Sequence, residues 1–352
     1  MKKIIVSLSV IAAVAAVAIG ATTAFFNDTE TSMGNTFTAG AIDLKIDSTS
    51  HYNGMVCVLN GDGNPAFWWQ PEPNNPDFPS GVVPPDHYPQ PDMACDGTWT
   101  ETDLGADHKF FNLTDVKPGD NGEDTISLHV YGNDAWGRFV INGVTDLDNT
   151  CTEPETQVTP STLDPECTAT TPTPGAGELA ESITFYAWLD QGAIPGFQNV
   201  LANGLPNTDH LDPTEGDNIQ QCANASGQPT VGTDSTTPLN CDEPTVITPG
   251  TVDENLSTDQ TLPDETHNIL PALAAVWSAY CSAFNAQGAN EYDQCQGIAQ
   301  DGRLVGSTTY YFGLAWSVPT TVGNEAQTDS LNANLVFQAV QQRNNPLPTP
   351  TF

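Results

Sequence analysis

Apolar and polar residues alternate with period two at several places along the chain, and each place predicts a strand with one buried and one wetted face. Ile42, Leu44 and Ile46 alternate with Asp43, Lys45 and Asp47, and Ile126, Leu128 and Val130 alternate with Ser127 and His129. Ile183 and Phe185 alternate with Thr184 and Tyr186. Two longer registers follow: Tyr310, Phe312, Leu314, Trp316 and Val318, then Leu331, Ala333, Leu335, Phe337 and Ala339. On this pattern His129 faces solvent. A helical pattern occurs in "ILPALAAVWSAYCSAF", where Pro271 stands early and Leu273, Val276, Trp277 and Tyr280 share one side. "VKPGD", Val116 to Asp120, centres Pro-Gly in a turn of type II.

Long polar stretches separate these segments. Residues 51–105 carry Pro, Asp and Asn clusters around the aromatic run Phe67 to Trp69, which reads as a small core under its own loop or as a platform for a partner or carbohydrate. Residues 145–180 are rich in Thr and Pro, and much of 198–300 is rich in Asn, Thr, Asp and Pro. The expected fold is all-β: a jelly-roll-like antiparallel β-sandwich with long, disulfide-pinned loop insertions and one short helix. A single domain is expected over residues 37–343, followed by a tail at 344–352.

The uncharged apolar run from Ile4 to Ile19 belongs to none of these elements. Lys2 and Lys3 precede it and small residues follow through Ala24, which is the layout of an export signal cut between Ala24 and Phe25. The alternative is a retained single-span anchor, for which the run is short against the ~20 residues a bilayer needs. Cleavage leaves residues 25–36 as a new N-terminal segment.

Charge sharpens this picture. The chain has 8 Lys+Arg against 44 Asp+Glu, a formal net charge of −36, although charged residues make up only 15% of it. The acidity comes from missing basic residues rather than from acidic runs. Such a charge opposes nucleic acid and anionic lipid as partners and attracts divalent cations. The 8 cysteines fall into successive couples, so the expected bridges are Cys57–Cys95, Cys151–Cys167, Cys222–Cys241 and Cys281–Cys295. None has the short spacing of a zinc site.

Enzyme chemistry is not legible. There is no HExxH, GxSxG, P-loop or dinucleotide fingerprint, and the six histidines are scattered. The expectation is a protein that is not an enzyme. Calcium is the one cofactor the residues suggest: Asn60, Asp62 and Asn64 alternate around glycines, and Asp146 and Asp148 do so similarly, as oxygen ligands on loops. Asx-turns explain the same spacing.

Three stretches together resemble the TasA/camelysin family. The leader junction presents Phe26, Asp28, Gly34, Phe37, Ala39, Gly40, Asp43 and Leu44 at the positions of its F-x-D and G-x-x-F-x-A-G-x-x-D-L motifs. The turn at Val116 to Asp120 is similar to its L-K-P-G-D turn, with Val116 in place of leucine, and Phe312 to Asn345 is similar to its C-terminal strands. The resemblance implies a jelly-roll sandwich whose leader is removed by a SipW-type signal peptidase. It implies secretion and assembly into extracellular biofilm-matrix fibres or bundling pili on the cell surface. Assembly would proceed by donor-strand complementation, with the donor strand formed by Phe25, Phe26, Asn27, Asp28, Thr29, Glu30 and Met33. The expected partners are further copies of the chain, the peptidase and a minor anchor subunit. The camelysin branch is described as metalloproteases, but no residues here can be assigned to that activity. A cell-surface adhesin using the Trp-rich loop is the other alternative.

Overall fold

The computed structural model describes residues 27–31, 42–61, 66–72, 78, 82–150, 152, 173–174, 177–192, 196–197, 215–223, 229–231, 243–252, 265–282, 295–343 and 345. The first strands are β1 (Asn27–Thr31), β2 (Ile42–Tyr52), β3 (Met55–Leu59), β4 (Phe67–Pro71) and β5 (Trp99–Thr102). Then come β6 (Asn121–Gly132), β7 (Ala135–Asp148), β8 (Thr173–Pro174), β9 (Thr184–Leu189) and β10 (Gln221–Ala223). The last are β11 (Pro229–Val231), β12 (Thr245–Thr251), β13 (Glu265–Asn268), β14 (Thr308–Ser317) and β15 (Ser330–Gln341). Two short helices accompany them: α1 (Leu179–Ser182) and α2 (Leu270–Val276), the latter running on as a wider π-turn over Trp277–Cys281.

The strands form two antiparallel sheets that face one another, with β10 and β11 a separate ribbon. The larger sheet runs β12-β9-β14-β6-β2-β3-β4, with β5 against β2. The smaller runs β1-β15-β7-β13, with β8 against β7. Ile42, Leu44 and Ile46, Ile126, Leu128 and Val130, and Tyr310, Phe312 and Leu314 are all buried on the inner face of the larger sheet. Phe337 of the smaller sheet meets them, its ring 6.5 Å from Phe312, 6.2 Å from Phe110 and 5.4 Å from Phe139 on the neighbouring strand. The fold is therefore an all-β antiparallel sandwich, and the alternation that predicts its inner face is the alternation that fills its core.

Two turns set the strand order locally. Asn53 and Gly54 both have positive φ, 48° and 74°, as the two-residue hairpin turn of type I′ requires. Gly119 has φ of 96° and the Asp120 amide donates to the Lys117 carbonyl at 3.0 Å, so Pro118-Gly119 makes a type II turn. The Asp120 carboxylate ties the two turns together. It accepts from the Tyr52 hydroxyl at 2.6 Å, the Asn53 side-chain amide at 3.0 Å and the Lys117 backbone amide at 2.7 Å. Asp120→Ala is therefore expected to cost about 2–3 kcal/mol, since hydrogen bonds to a charged acceptor are the stronger kind. A fall in the urea midpoint at unchanged slope would check it, with Asp120→Asn retaining part of the loss.

Three expectations need correction. Residues 51–105 are not simply an insertion: they supply β3, β4 and β5 to the larger sheet, and Trp69 is buried in the main core beside Tyr52. The register from Leu331 to Ala339 is interrupted by an irregularity between Asn332 and Asn334, which leaves Ala333 exposed while Leu335, Phe337 and Ala339 stay inside. His129 does not simply face solvent. It is bonded to Asp47 at 2.6 Å and to the Thr309 hydroxyl at 2.9 Å, with Tyr131 stacked alongside.

Candidate assembly interface

A sheet can add a strand only at an edge, so the edges decide where another chain could join. On the larger sheet, β12 is one edge. It carries Pro249, which has no amide hydrogen, and two irregularities, between Thr245 and Ile247 and between Ile247 and Gly250. Such features block further pairing. The opposite edge, β4, is already covered. The Trp69 amide donates to the Met93 carbonyl at 2.9 Å, Asp92 to Trp69 at 3.0 Å and Cys95 to Phe67 at 3.2 Å. A disulfide between Cys57 of β3 and Cys95 pins this cover in place, across a Cα separation of 5.9 Å.

The smaller sheet ends differently. At one end lies the four-residue β13, which leads directly into α2. At the other, β1 pairs antiparallel with β15 in a five-residue register: Asn27 with Val340, Asp28 with Ala339, Thr29 with Gln338, Glu30 with Phe337 and Thr31 with Val336. The strand beneath is well anchored. It pairs along nearly its whole length with β7 and carries Phe337 and Ala339 into the core. The edge strand itself is five polar residues. A ladder bond between backbone groups contributes net only about 0.5–1.5 kcal/mol, so β1 is held by main-chain pairing on a firm neighbour.

Of the donor-strand residues expected from the sequence, Asn27, Asp28, Thr29 and Glu30 lie in β1, whereas Phe25, Phe26 and Met33 lie outside the described residues, as does Ala24. The sequence did not show where this segment pairs: its register with β15 joins residues more than 300 apart and leaves no local signal.

Other expected site residues are scattered. Asn60 is buried and its amide donates to the Ala66 carbonyl at 2.8 Å, while Asp62 and Asn64 lie outside the described residues. Asp146 and Asp148 are not loop ligands: they sit on β7, buried, with Asp146 accepting from the Ala180 amide at 3.3 Å. Among the described residues no group of three or more His, Cys, Asp or Glu is placed to hold a metal ion. Cys281 and Cys295 are bridged. Cys222 lies in β10, and Cys151, Cys167 and Cys241 lie outside the described residues.

A second polar constellation, marked by no motif in the sequence, lies on the outer face of the larger sheet. Asp190, at the end of β9, accepts from the backbone amides of Gly216 at 3.1 Å and Asn218 at 3.0 Å, and Asn218 in turn accepts from the Thr125 hydroxyl at 3.1 Å. Residues 215–220 are thereby held against Asp190 and against Thr125 of β6. Burial pushes the Asp190 carboxyl up to about 7 despite those amide donors. Burial, with Asp190 and Asp124 nearby, holds Glu123 well above the usual carboxylate range. The signal was the polar run Glu123-Asp124-Thr125 entering a strand, which reads equally well as solvent-facing.

No curated protein matches the chain. Residues 1–55, which run through β2 and its hairpin turn to the first residue of β3, match the family model described as camelysin metallo-endopeptidase.

Proposed function

We propose that the protein is a secreted structural subunit that polymerises head-to-tail into extracellular filaments, as a biofilm-matrix fibre or a bundling pilus. The observation that carries this reading is the pairing of the N-terminal segment Asn27–Thr31 with the edge strand β15 through backbone groups. A segment that docks by main-chain register on the edge of a sandwich can dock on the same edge of another copy. If each copy passes its β1 to the next rather than two copies swapping reciprocally, the contact is head-to-tail, does not close and generates a filament. Removal of the leader by a SipW-type signal peptidase frees the segment to move. Phe25 and Phe26, immediately before β1, add ~1.5–3 kcal/mol each if the neighbour buries them. A minor anchor subunit would tether the filament to the cell surface.

The test is electron microscopy of the purified mature protein beside a variant lacking residues 25–35. Filaments from the mature protein and none from the variant are expected, with the variant still folded by circular dichroism. Filaments persisting in the variant would remove the donor-strand role. The description of the matched family favours a second reading, metal-dependent peptidase activity. Casein cleavage that a chelator abolishes, in the same preparation, would establish it.

A further inference from the structure

We propose that Asn112 is a glycosylation site, so that the exported subunit carries N-linked sugar on the amide nitrogen of this side chain. The proposal rests on the proposed secretion of the chain, because the acceptor motif is read in exported proteins.

Asn-x-Ser/Thr tripeptides whose central residue is not proline accept N-linked sugar. The chain has four, at Asn27, Asn112, Asn224 and Asn255. A sequence this rich in Asn, Thr and Ser produces such tripeptides by chance, so their surroundings have to separate them. Asn224 and Asn255 lie outside the described residues. Asn27 lies within β1, its backbone in the ladder opposite Val340. A transferase must close around the tripeptide it modifies, and a paired strand does not offer itself for that. Asn112-Leu113-Thr114 is different. It lies on the connection between β5 and β6, outside any strand or helix, with Asn112 and Thr114 both exposed. The motif demands a surface loop, and a surface loop is where this copy of it stands.

Packing on either side presents the tripeptide outward. Phe110 is buried, its ring 5.0 Å from that of Trp99, and Phe111 and Leu113 pack partly buried against the same core. The asparagine and the threonine are left facing water. The Asn112 amide donates to the Asp96 carboxylate at 2.6 Å. A primary amide carries two hydrogens, so one stays with Asp96 while the other is replaced by sugar. In that transfer a bond forms between Nδ2 and the anomeric carbon, and the bond from that carbon to the phosphate of a lipid-linked sugar donor breaks. The phosphate leaves with the electron pair, and the displaced proton goes to a base of the transferase. The retained bond to Asp96 orients the sugar on Asn112. Asp96 follows Cys95, whose amide donates to Phe67 of β4, so the sugar stands beside the covered edge of the larger sheet. A bulky, hydrated group there is a further obstacle to strand pairing at that edge, and it belongs to neither strand of the β1–β15 pair.

Site-resolved peptide mass mapping of the full chain, purified from its native cells, tests the proposal. Sugar on Asn112 is expected in most copies, with complete loss in Asn112→Gln and in Thr114→Ala and retention in Thr114→Ser. Because both side chains are exposed, the variants should keep the circular dichroism of the unmodified chain. Bare Asn112 in protein whose N-terminus begins at Phe25 would overturn the glycan while leaving secretion standing. Sugar persisting on Asn112 in Thr114→Ala would overturn recognition through the tripeptide. A chain retained inside the cells with its leader uncut would overturn secretion, and the glycan with it.

Discussion

Gly313→Ala is expected to cost roughly 3 kcal/mol, at the upper end of what overpacking inflicts, and Gly313→Val is expected to prevent folding. Gly313 lies in the middle of β14, opposite Trp188 of β9 and Thr125 of β6. A Cβ at this position would lie 2.0 Å from Cζ2 of Trp188 and 2.3 Å from its Cε2. The indole has nowhere to retreat: Trp188 is 1% exposed and stacks on Tyr186 at 5.2 Å. Strain therefore passes to the backbone of three central strands. Thermal or urea denaturation measures the cost. The double variant Gly313→Ala with Trp188→Ala separates the clash from any general intolerance, because removing the ring removes the obstacle. Its loss of stability should be smaller than the sum of the two single losses by more than 1 kcal/mol or so. Simple additivity would show that the close approach is not the cause.

The second large effect is with pH. The fold is expected to be more stable near pH 5 than near pH 8, against the common pattern in which carboxylates favour the folded state when ionised. Glu123 and Asp124 are adjacent on β6, on opposite faces of the sheet, and both are buried; burial holds both well above the usual carboxylate range. Asp190 is pushed from 3.8 up to about 7, first by burial and then by Asp217. Glu72 and Asp190 act on Glu123 from other elements, and His51, cross-strand from Glu123, is bonded to Glu72 at 3.0 Å.

The sign follows from linkage. A carboxyl whose folded value is raised contributes its full stability below its unfolded value and loses it as pH climbs through the folded value. For Asp190 the loss begins above about pH 4 and continues to about pH 7. At about 1.4 kcal/mol per pH unit the loss amounts to roughly 2–4 kcal/mol. Glu123 and Asp124 extend the decline to higher pH. Lower net charge at acid pH relieves self-repulsion and works in the same direction. Urea midpoints at pH 5, 6.5 and 8 measure the profile. Glu123→Gln should raise the midpoint at pH 8 and flatten the profile while leaving pH 5 nearly unchanged. A midpoint that rises with pH in the unmodified protein would contradict the argument.

These two effects bear on different parts of the same surface, and both were hidden in the sequence for the same reason. In the run from Tyr310 to Val318, Gly313 falls on the face that alternation assigns to solvent, as Glu123 and Thr125 do in β6. Alternation reports which residues face the core between the sheets. It does not report that residues 215–220 fold back over the outer face and bury it a second time. His129 was assigned to water by the same rule, and Asp47 and Thr309, on the strands either side, complete its bonding instead.

The inner face tells the opposite story. Ile42, Leu44 and Ile46, Ile126, Leu128 and Val130, and Tyr310, Phe312 and Leu314 could be read from period two alone, because a sandwich strand must bury one face whatever its partners. The Pro118-Gly119 turn was legible because only a residue tolerant of positive φ suits the third position of a type II turn. The disulfide of Cys57 with Cys95, like that of Cys281 with Cys295, follows the succession of cysteines along the chain. Class of fold, core face, turns and an N-terminal segment without an apolar side chain between Asn27 and Ser32 were thus determined by the sequence itself. Each depends on residues within a few positions of one another.

What only the tertiary structure decided is pairing at long range. The registers of β1 with β15 and of β9 with β14, the cover that Asp92 to Cys95 lays over β4, and the packing of residues 215–220 against Asp190 and Thr125 all depend on which distant segments meet. Backbone hydrogen bonds carry no residue code, so a register made mainly of such bonds leaves no trace in local sequence. That is why Asn27 to Thr31 reads in the sequence only as a polar segment, while its place beside β15 became visible only in the folded structure.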